Sequence, residues 1–139
     1  MIRPTRLLTP LVAMSALLVL PACAAGLAKK DDAVQFRYQD YAGEPVDTVT
    51  SMGRVTGWTS VSRDQLVIWT GVNEAWLLKV WDTCRDLEFA DSVVVTRSGS
   101  RISRFDKVLV GDERCQITEI RPVDIKQMKA DRAAAKAKP

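Results

Sequence analysis

The stretch QLVIWTGVNEAWLLKVW, Gln65 to Trp81, decides the fold. Its first half, Gln65 to Thr70, is rich in branched and aromatic residues and reads as a strand. GVNE follows as a turn, and Ala75 to Trp81 reads as the partner strand. Alternation puts Trp76, Leu78 and Val80 on one face and Leu77, Lys79 and Trp81 on the other. A helical stripe over the same residues would bury Lys79 or expose a tryptophan. The hairpin is therefore the better reading, with the Lys79 face partly wet.

The same punctuation continues on both sides. SVVVTR (Ser92 to Arg97), the turn SGS and RISRF (Arg101 to Phe105) predict a second hairpin. KVLV (Lys107 to Val110), the turn GDER and CQITEI (Cys115 to Ile120) predict a third, stopped by Pro122. Upstream, DTVTSMGRVTGW (Asp47 to Trp58) predicts one further strand, with Gly53 and Gly57 as bends or a bulge. CRDLEFAD, Cys84 to Asp91, is long enough for one helical turn. The expected fold is all-β: one small antiparallel domain over residues 35–124, barrel-like or sandwich-like, with α+β as the alternative. Residues 125–139 form a basic, Ala/Lys-rich tail with good helix propensity but no sizeable apolar face, expected to be frayed or disordered.

The N-terminus has the parts of an export signal: Arg3 and Arg6, then the 14 uncharged residues Leu7 to Leu20, then Pro21 before small residues. A helix over that run reaches only about 21 Å, short of a bilayer core of roughly 30 Å. Residues 1–24 read as a signal peptide, expected to be cut in one of two ways. A lipoprotein cut before Cys23 would lipidate that cysteine and anchor the chain to a membrane, although Pro21 departs from the lipobox pattern. The alternative is ordinary cleavage after Ala24, at Ala22-Cys23-Ala24. Residues 25–34 mix small and charged side chains and read as a tether.

Export leaves Cys84 and Cys115, which are most simply read as one disulfide in an oxidising compartment. A thiol nucleophile or a metal pair is the rival reading, but neither cysteine lies in a Cys-x-x-Cys. The chain also contains no histidine. That removes histidine-activated serine and cysteine nucleophiles, the usual histidine-bearing zinc sites and the commonest general base near neutral pH. No cofactor or metal is expected.

The formal charge of +3 overstates the basic character. Without Arg3 and Arg6, 18 basic residues face 17 acidic ones, and five of the 18 lie in residues 126–139 with one acidic. A weakly acidic body with a basic tail is not the clustered basic face of a nucleic-acid binder. The tail suits contact with anionic lipid or wall polymer, or serves as a solubilising end.

FRYQDYAGEPVD (Phe36 to Asp47), RDQLVIWT followed by NEAWLL, TCRDL, and RFDKVLVGDERCQITEIRPVD (Arg104 to Asp124) together resemble a domain-of-unknown-function family. Its members are small exported bacterial proteins, many with lipoprotein-like signals. The resemblance implies an envelope location and the cysteine pair, and it carries no catalytic residue.

Candidate contact residues follow from the strand ends. Four tryptophans, Trp58, Trp69, Trp76 and Trp81, lie within 24 residues. Core packing accounts for most of them, and Trp81 is expected at the surface as an aromatic contact. Arg63, Asp64, Arg85 and Asp86 flank it in charged strand ends, with Asp82 and Glu88 nearby. Paired carboxylates there would also suit saccharide hydrolysis if two of them converged. Asp106 and Asp112 lack the spacing of a calcium loop and read as turn residues. The expected role is a non-catalytic binding or accessory module of the envelope, whose partner is a protein, glycan or lipid. The alternatives are a carboxylate-dependent hydrolase and a membrane-to-wall tether.

Overall fold

A computed structural model describes residues 36–50 and 54–137 of the chain. The signal, the tether, Cys23 and Gly53 lie outside the described residues. The decisive hairpin forms as expected, with β3 (Gln65–Gly71) antiparallel to β4 (Glu74–Val80). Around it runs a curled six-stranded antiparallel sheet, an open half-barrel, completed by β2 (Gly57–Ser62), β5 (Val94–Val95), β7 (Lys107–Val110) and β8 (Glu113–Val123). The strand order is β2-β3-β4-β8-β7-β5. A separate two-stranded flap pairs β1 (Thr48–Thr50) with β6 (Arg101–Ser103).

Strand alternation creates two cores, one on each face of the sheet. Leu66, Ile68, Leu78, Val80, Val108, Val110, Cys115, Ile117 and Ile120 bury the first face, which the flap covers with Val49 and Ile102. Trp58 and Trp76 pack against this core. Val67, Ala75, Leu77 and Val123 bury the second face, with Trp69 at its margin. In β8 the buried set shifts from odd to even numbers between Ile117 and Ile120. The register accounts for this: Lys79 pairs with Glu119 and Val80 with Ile117, so Thr118 is an extra residue, a bulge.

The third hairpin also forms, with Gly111 (φ +55°) opening its two-residue turn as such hairpins require. Pro122 does not stop the strand, which continues to Val123. Its carbonyl accepts the Gly43 N–H at 2.8 Å, beyond the reach of β7. A residue's N–H and C=O share one side of a strand, so the missing N–H falls on this loosely covered edge. A Cβ on Gly43 would lie 3.2 Å from the proline ring, so this close approach favours glycine.

Three further expectations are corrected. The second hairpin does not form: apart from the Ser98–Arg101 bridge its arms separate, β5 extending the main sheet through β7 and β6 joining the flap. Ile102 thereby covers the first core from above, while Val93 and Val95 pack against its side. The single strand expected over Asp47 to Trp58 becomes two, β1 in the flap and β2 in the main sheet. The basic tail is not frayed but forms α1 (Ile125–Ala137). Asp124 caps it, its carboxylate accepting the Gln127 N–H at 2.9 Å. Ile125 and Met128, three residues apart, are buried in the second core. Lys129 then ties the helix to the β3–β4 turn through the Val72 carbonyl and Asn73 Oδ1, and Tyr41 ties it through Asp131. Intrinsic propensity misses such docking, because tertiary contact supplies most of a helix's stability. No helix among the described residues is long and apolar enough to cross a membrane.

Candidate functional site

The predicted contact residues gather at one end of the sheet. The Ser62–Gln65 turn presents Arg63, which is exposed, and Asp64, whose carboxylate accepts the Ser62 hydroxyl at 2.8 Å. Lys79 Nζ lies 3.9 Å from the same carboxylate. The Asp64 carbonyl accepts the Val80 N–H at 2.8 Å, which brings this turn beside the end of β4. The next residue, Trp81, is 59% exposed. Its N–H donates to the Gln116 carbonyl, and its own carbonyl accepts the Cys84 N–H, both at 3.1 Å.

Cys84 and Cys115 form a disulfide, with Cα atoms 5.5 Å apart. It joins the loop after β4 to the start of β8. One oxygen of Glu113 then accepts the N–H groups of Arg85 and Asp86, at 3.0 and 3.3 Å, ahead of the 3-10 turn Leu87–Phe89. The Glu113 anchor escapes sequence reading; its only signal is its place two residues before a bridged cysteine. Cys84, Cys115 and Glu113 offer three ligand-type atoms within 4.8 Å of one another. With both sulfurs joined in the disulfide and the carboxylate bonded to two backbone N–H groups, they do not form a metal site.

Asp106 is likewise a structural carboxylate. One oxygen accepts the Ser103 N–H at 2.8 Å and the Ser103 hydroxyl at 2.9 Å. The other faces the Thr96 hydroxyl at 3.4 Å. The turn role expected for it is the one it occupies. On the second face, Tyr41 donates its hydroxyl to Asp131 at 2.8 Å. Partial burial first, then the hydrogen bond and charge of Asp131, raise the phenol above its ordinary value of 10.0.

A cleft lies at the opposite end of β2 from the Asp64 turn. It measures about 420 Å³ and is lined by Arg54 to Trp58, Val93 to Val95, and Arg97. None of Trp81, Arg85, Asp86, Arg63 or Asp64 lines it. It lies where the half-barrel fails to close, between the edge strands β2 and β5.

The direction of the backbone groups here follows from the ladders, because successive residues of an antiparallel strand bond to opposite neighbours. Asp64 and Val80 bond to each other, so Leu66 and Ile68 aim at β4, while Val67 and Trp69 aim at β2. The Trp69 carbonyl indeed accepts the Thr56 N–H at 2.7 Å. Gly57 and Thr59, opposite Trp69 and Val67, therefore aim inward, and the peptide groups of Trp58 and Ser60 aim off the edge. On β5, Thr96 N–H donates to the Lys107 carbonyl at 2.8 Å, so Val95 aims its peptide groups away from β7. Both edges thus present outward-facing backbone donors and acceptors at the cleft. No sequence signal marks this pair of edges, because the pairing of β5 with β7 creates one of them.

The family comparison matches residues 5–139 to a family of unknown function, DUF6491. No curated protein and no solved structure matches the chain. With nearly its whole length covered by the match, the chain belongs to this family of unknown function, DUF6491.

Proposed function

We propose that the chain is an exported, non-catalytic binding or accessory module of the bacterial cell envelope, with its ligand seated in the cleft between β2 and β5. The observation that carries this reading is the cleft itself: an indole, four valines and two guanidinium groups beside two strands that are the sheet's edges among the described residues. Apolar walls with a few polar groups are the ordinary chemistry of a ligand seat. Among the described residues, those lining it include no carboxylate, which gives two acids flanking a saccharide bond no support there. Export is supported by the sequence of residues 1–24 and by the disulfide, which suits an oxidising compartment. Cys23 is the proposed membrane anchor.

The test is a titration of the purified mature protein with peptides, wall-glycan fragments and phospholipid vesicles, read by tryptophan fluorescence. A saturable change that Trp58→Phe removes is expected. Hydrolysis of a wall glycan, abolished by changing a single carboxylate, would overturn the reading. For export, the intact mass of protein taken from the native envelope should begin at an acylated Cys23 or at Ala25.

A further inference from the structure

We infer that the second face of the sheet carries a seat for an uncharged sugar ring, between Lys79 and the 3-10 turn Tyr38–Tyr41, with Trp81 at its mouth. This seat is separate from the cleft and goes beyond the role proposed for it.

The register builds the seat. Gln65 pairs with Lys79 and Lys79 with Glu119, so their side chains form one row across β3, β4 and β8. Alternation sets this row on the face of Leu77, which the second core buries, and Leu77 pairs with Arg121. Ile125 and Met128 of α1, with Tyr38 and Tyr41 of the turn, cover the apolar part of that face and stop short of the row. Gln39, from the same turn, reaches across and donates to Gln65 Oε1 at 3.0 Å. The recess that remains measures about 230 Å³, and Gln39, Gln65, Leu77, Lys79, Glu119 and Arg121 line it. Drug-sized ligands occupy roughly 300–1,000 Å³, so this recess suits a single ring.

Three features select the ligand. The first is charge: Arg121 pairs with Glu119, and Lys79 lies 3.9 Å from Asp64, so two cations are matched by two carboxylates. An anion would meet Glu119 and a cation would meet Lys79 and Arg121, whereas a neutral ligand meets no repulsion. The second is hydrogen bonding. Lys79 Nζ is beyond hydrogen-bond distance of Asp64, and one oxygen of Glu119 is outside its bond to Arg121, leaving donor and acceptor side by side. The Gln39–Gln65 bond likewise leaves one amide oxygen and one NH2. Donors and acceptors mixed in one recess match neighbouring hydroxyls, each of which both donates and accepts. The third is Trp81. The Val80 N–H donates to Asp64 and the Trp81 N–H to Gln116, on opposite sides, so the strand runs on and alternation puts the indole on the Lys79 face. It stands about 7 Å along the strand from Lys79. An indole 59% exposed offers a flat apolar surface to the C–H face of a sugar while the row takes the hydroxyls. An acyl chain would leave the row's polar groups unpaired.

The experiment probes the mature chain, disulfide intact, with an array of immobilised neutral and acidic oligosaccharides, then titrates the best-captured one by calorimetry. A zwitterionic alanine dipeptide is titrated alongside. Neutral sugars should be captured ahead of acidic ones. Trp81→Ala and Lys79→Met should each weaken the captured sugar about tenfold, the worth of a stacked ring or of one hydrogen bond to a charged group. Both side chains are about half exposed and the Lys79 ion pair is a surface one, so melting temperatures should hardly move. Trp58→Phe, in the cleft, should leave the sugar's affinity unchanged. A captured sugar that is indifferent to either seat variant, or is lost with Trp58→Phe, would overturn the placement. Capture of acidic sugars alone, or saturable binding of the dipeptide with no sugar captured, would overturn the ligand class. An array that captures nothing would end this inference and leave the cleft reading standing.

Discussion

Removing the Cys84–Cys115 bridge should destabilise the domain by an amount that its loop length sets. The cysteines are 31 residues apart, and closing such a loop in the unfolded chain corresponds to about 3.7 kcal/mol in the chain-entropy treatment. A domain of roughly 100 residues gains about 0.2 kcal/mol per kelvin of unfolding entropy, so the midpoint should fall by about 15–20 °C. Cys84→Ala with Cys115→Ala is the suitable variant, because both sites are buried and a serine hydroxyl there would lack a partner. The protein should still fold: total stabilities of about 5–15 kcal/mol exceed the loss, and Glu113 continues to hold the N–H groups of Arg85 and Asp86. Thermal unfolding of the two proteins, with hydrogen exchange on the loop from Cys84 to Phe89, measures both effects. A midpoint shift under about 5 °C would refute the reasoning, since the bridge would then restrain a chain already confined by something else.

Met128→Ala should cost about 2–5 kcal/mol in the stability of the docked helix, as for other buried large-to-small changes, and hydrogen exchange should localise the loss to α1. Tyr41 has a raised pKa in the folded state, so its contribution is fully present below its unfolded value near 10 and is lost as pH rises through the folded value. Melting midpoints between pH 9 and 12 (about two units around that value) should therefore fall more steeply for the natural protein than for Tyr41→Phe. Asp106→Ala should cost about 1–3 kcal/mol by leaving Ser103 and Thr96 without their acceptor, and should loosen β6 from its place over the core. Equilibrium unfolding in urea measures that loss.

Local pattern made some elements legible and tertiary choice hid others. The β3–β4 and β7–β8 hairpins carry strict alternation and a short polar turn, so neighbouring residues specify both partner and register. The segments from Ser92 to Phe105 carry the same local signals, yet β5 pairs with β7 and β6 with β1. Both arms hold apolar residues that the first core needs, and burying Ile102 over one part of it and Val95 beside another requires the arms to part. Nothing within either arm encodes that separation. Helix α1 failed to show for a related reason: two apolar side chains are too few for a visible stripe, but enough when a cap, Tyr41 and Lys129 fix the helix against the sheet. Among the tryptophans, the alternation that put Trp76 toward the first core and Trp81 in the open was already visible in Gln65 to Trp81. The cleft was not, because it belongs to no segment; it exists only between two strands far apart along the chain.

The distribution of restraint across the sheet supports a binding edge at β5. The pairings of β3 with β4 and of β4 with β8 are the longest, and their side chains fill both cores. The disulfide and Glu113 fasten the loop after β4 to the start of β8, so the centre of the sheet and its Trp81 end are cross-linked. At the other extreme β5 pairs over only two residues, with Val94 59% exposed. Elements with few buried contacts open at the least free energy, and binding segments are drawn from them. A ligand arriving at the cleft would therefore adjust β5 while the cross-linked centre holds its shape. On that reasoning amide exchange should be fastest in β5 without ligand and should slow there most when that ligand binds. Protection confined to the Trp81 end would instead place the contact surface at the disulfide.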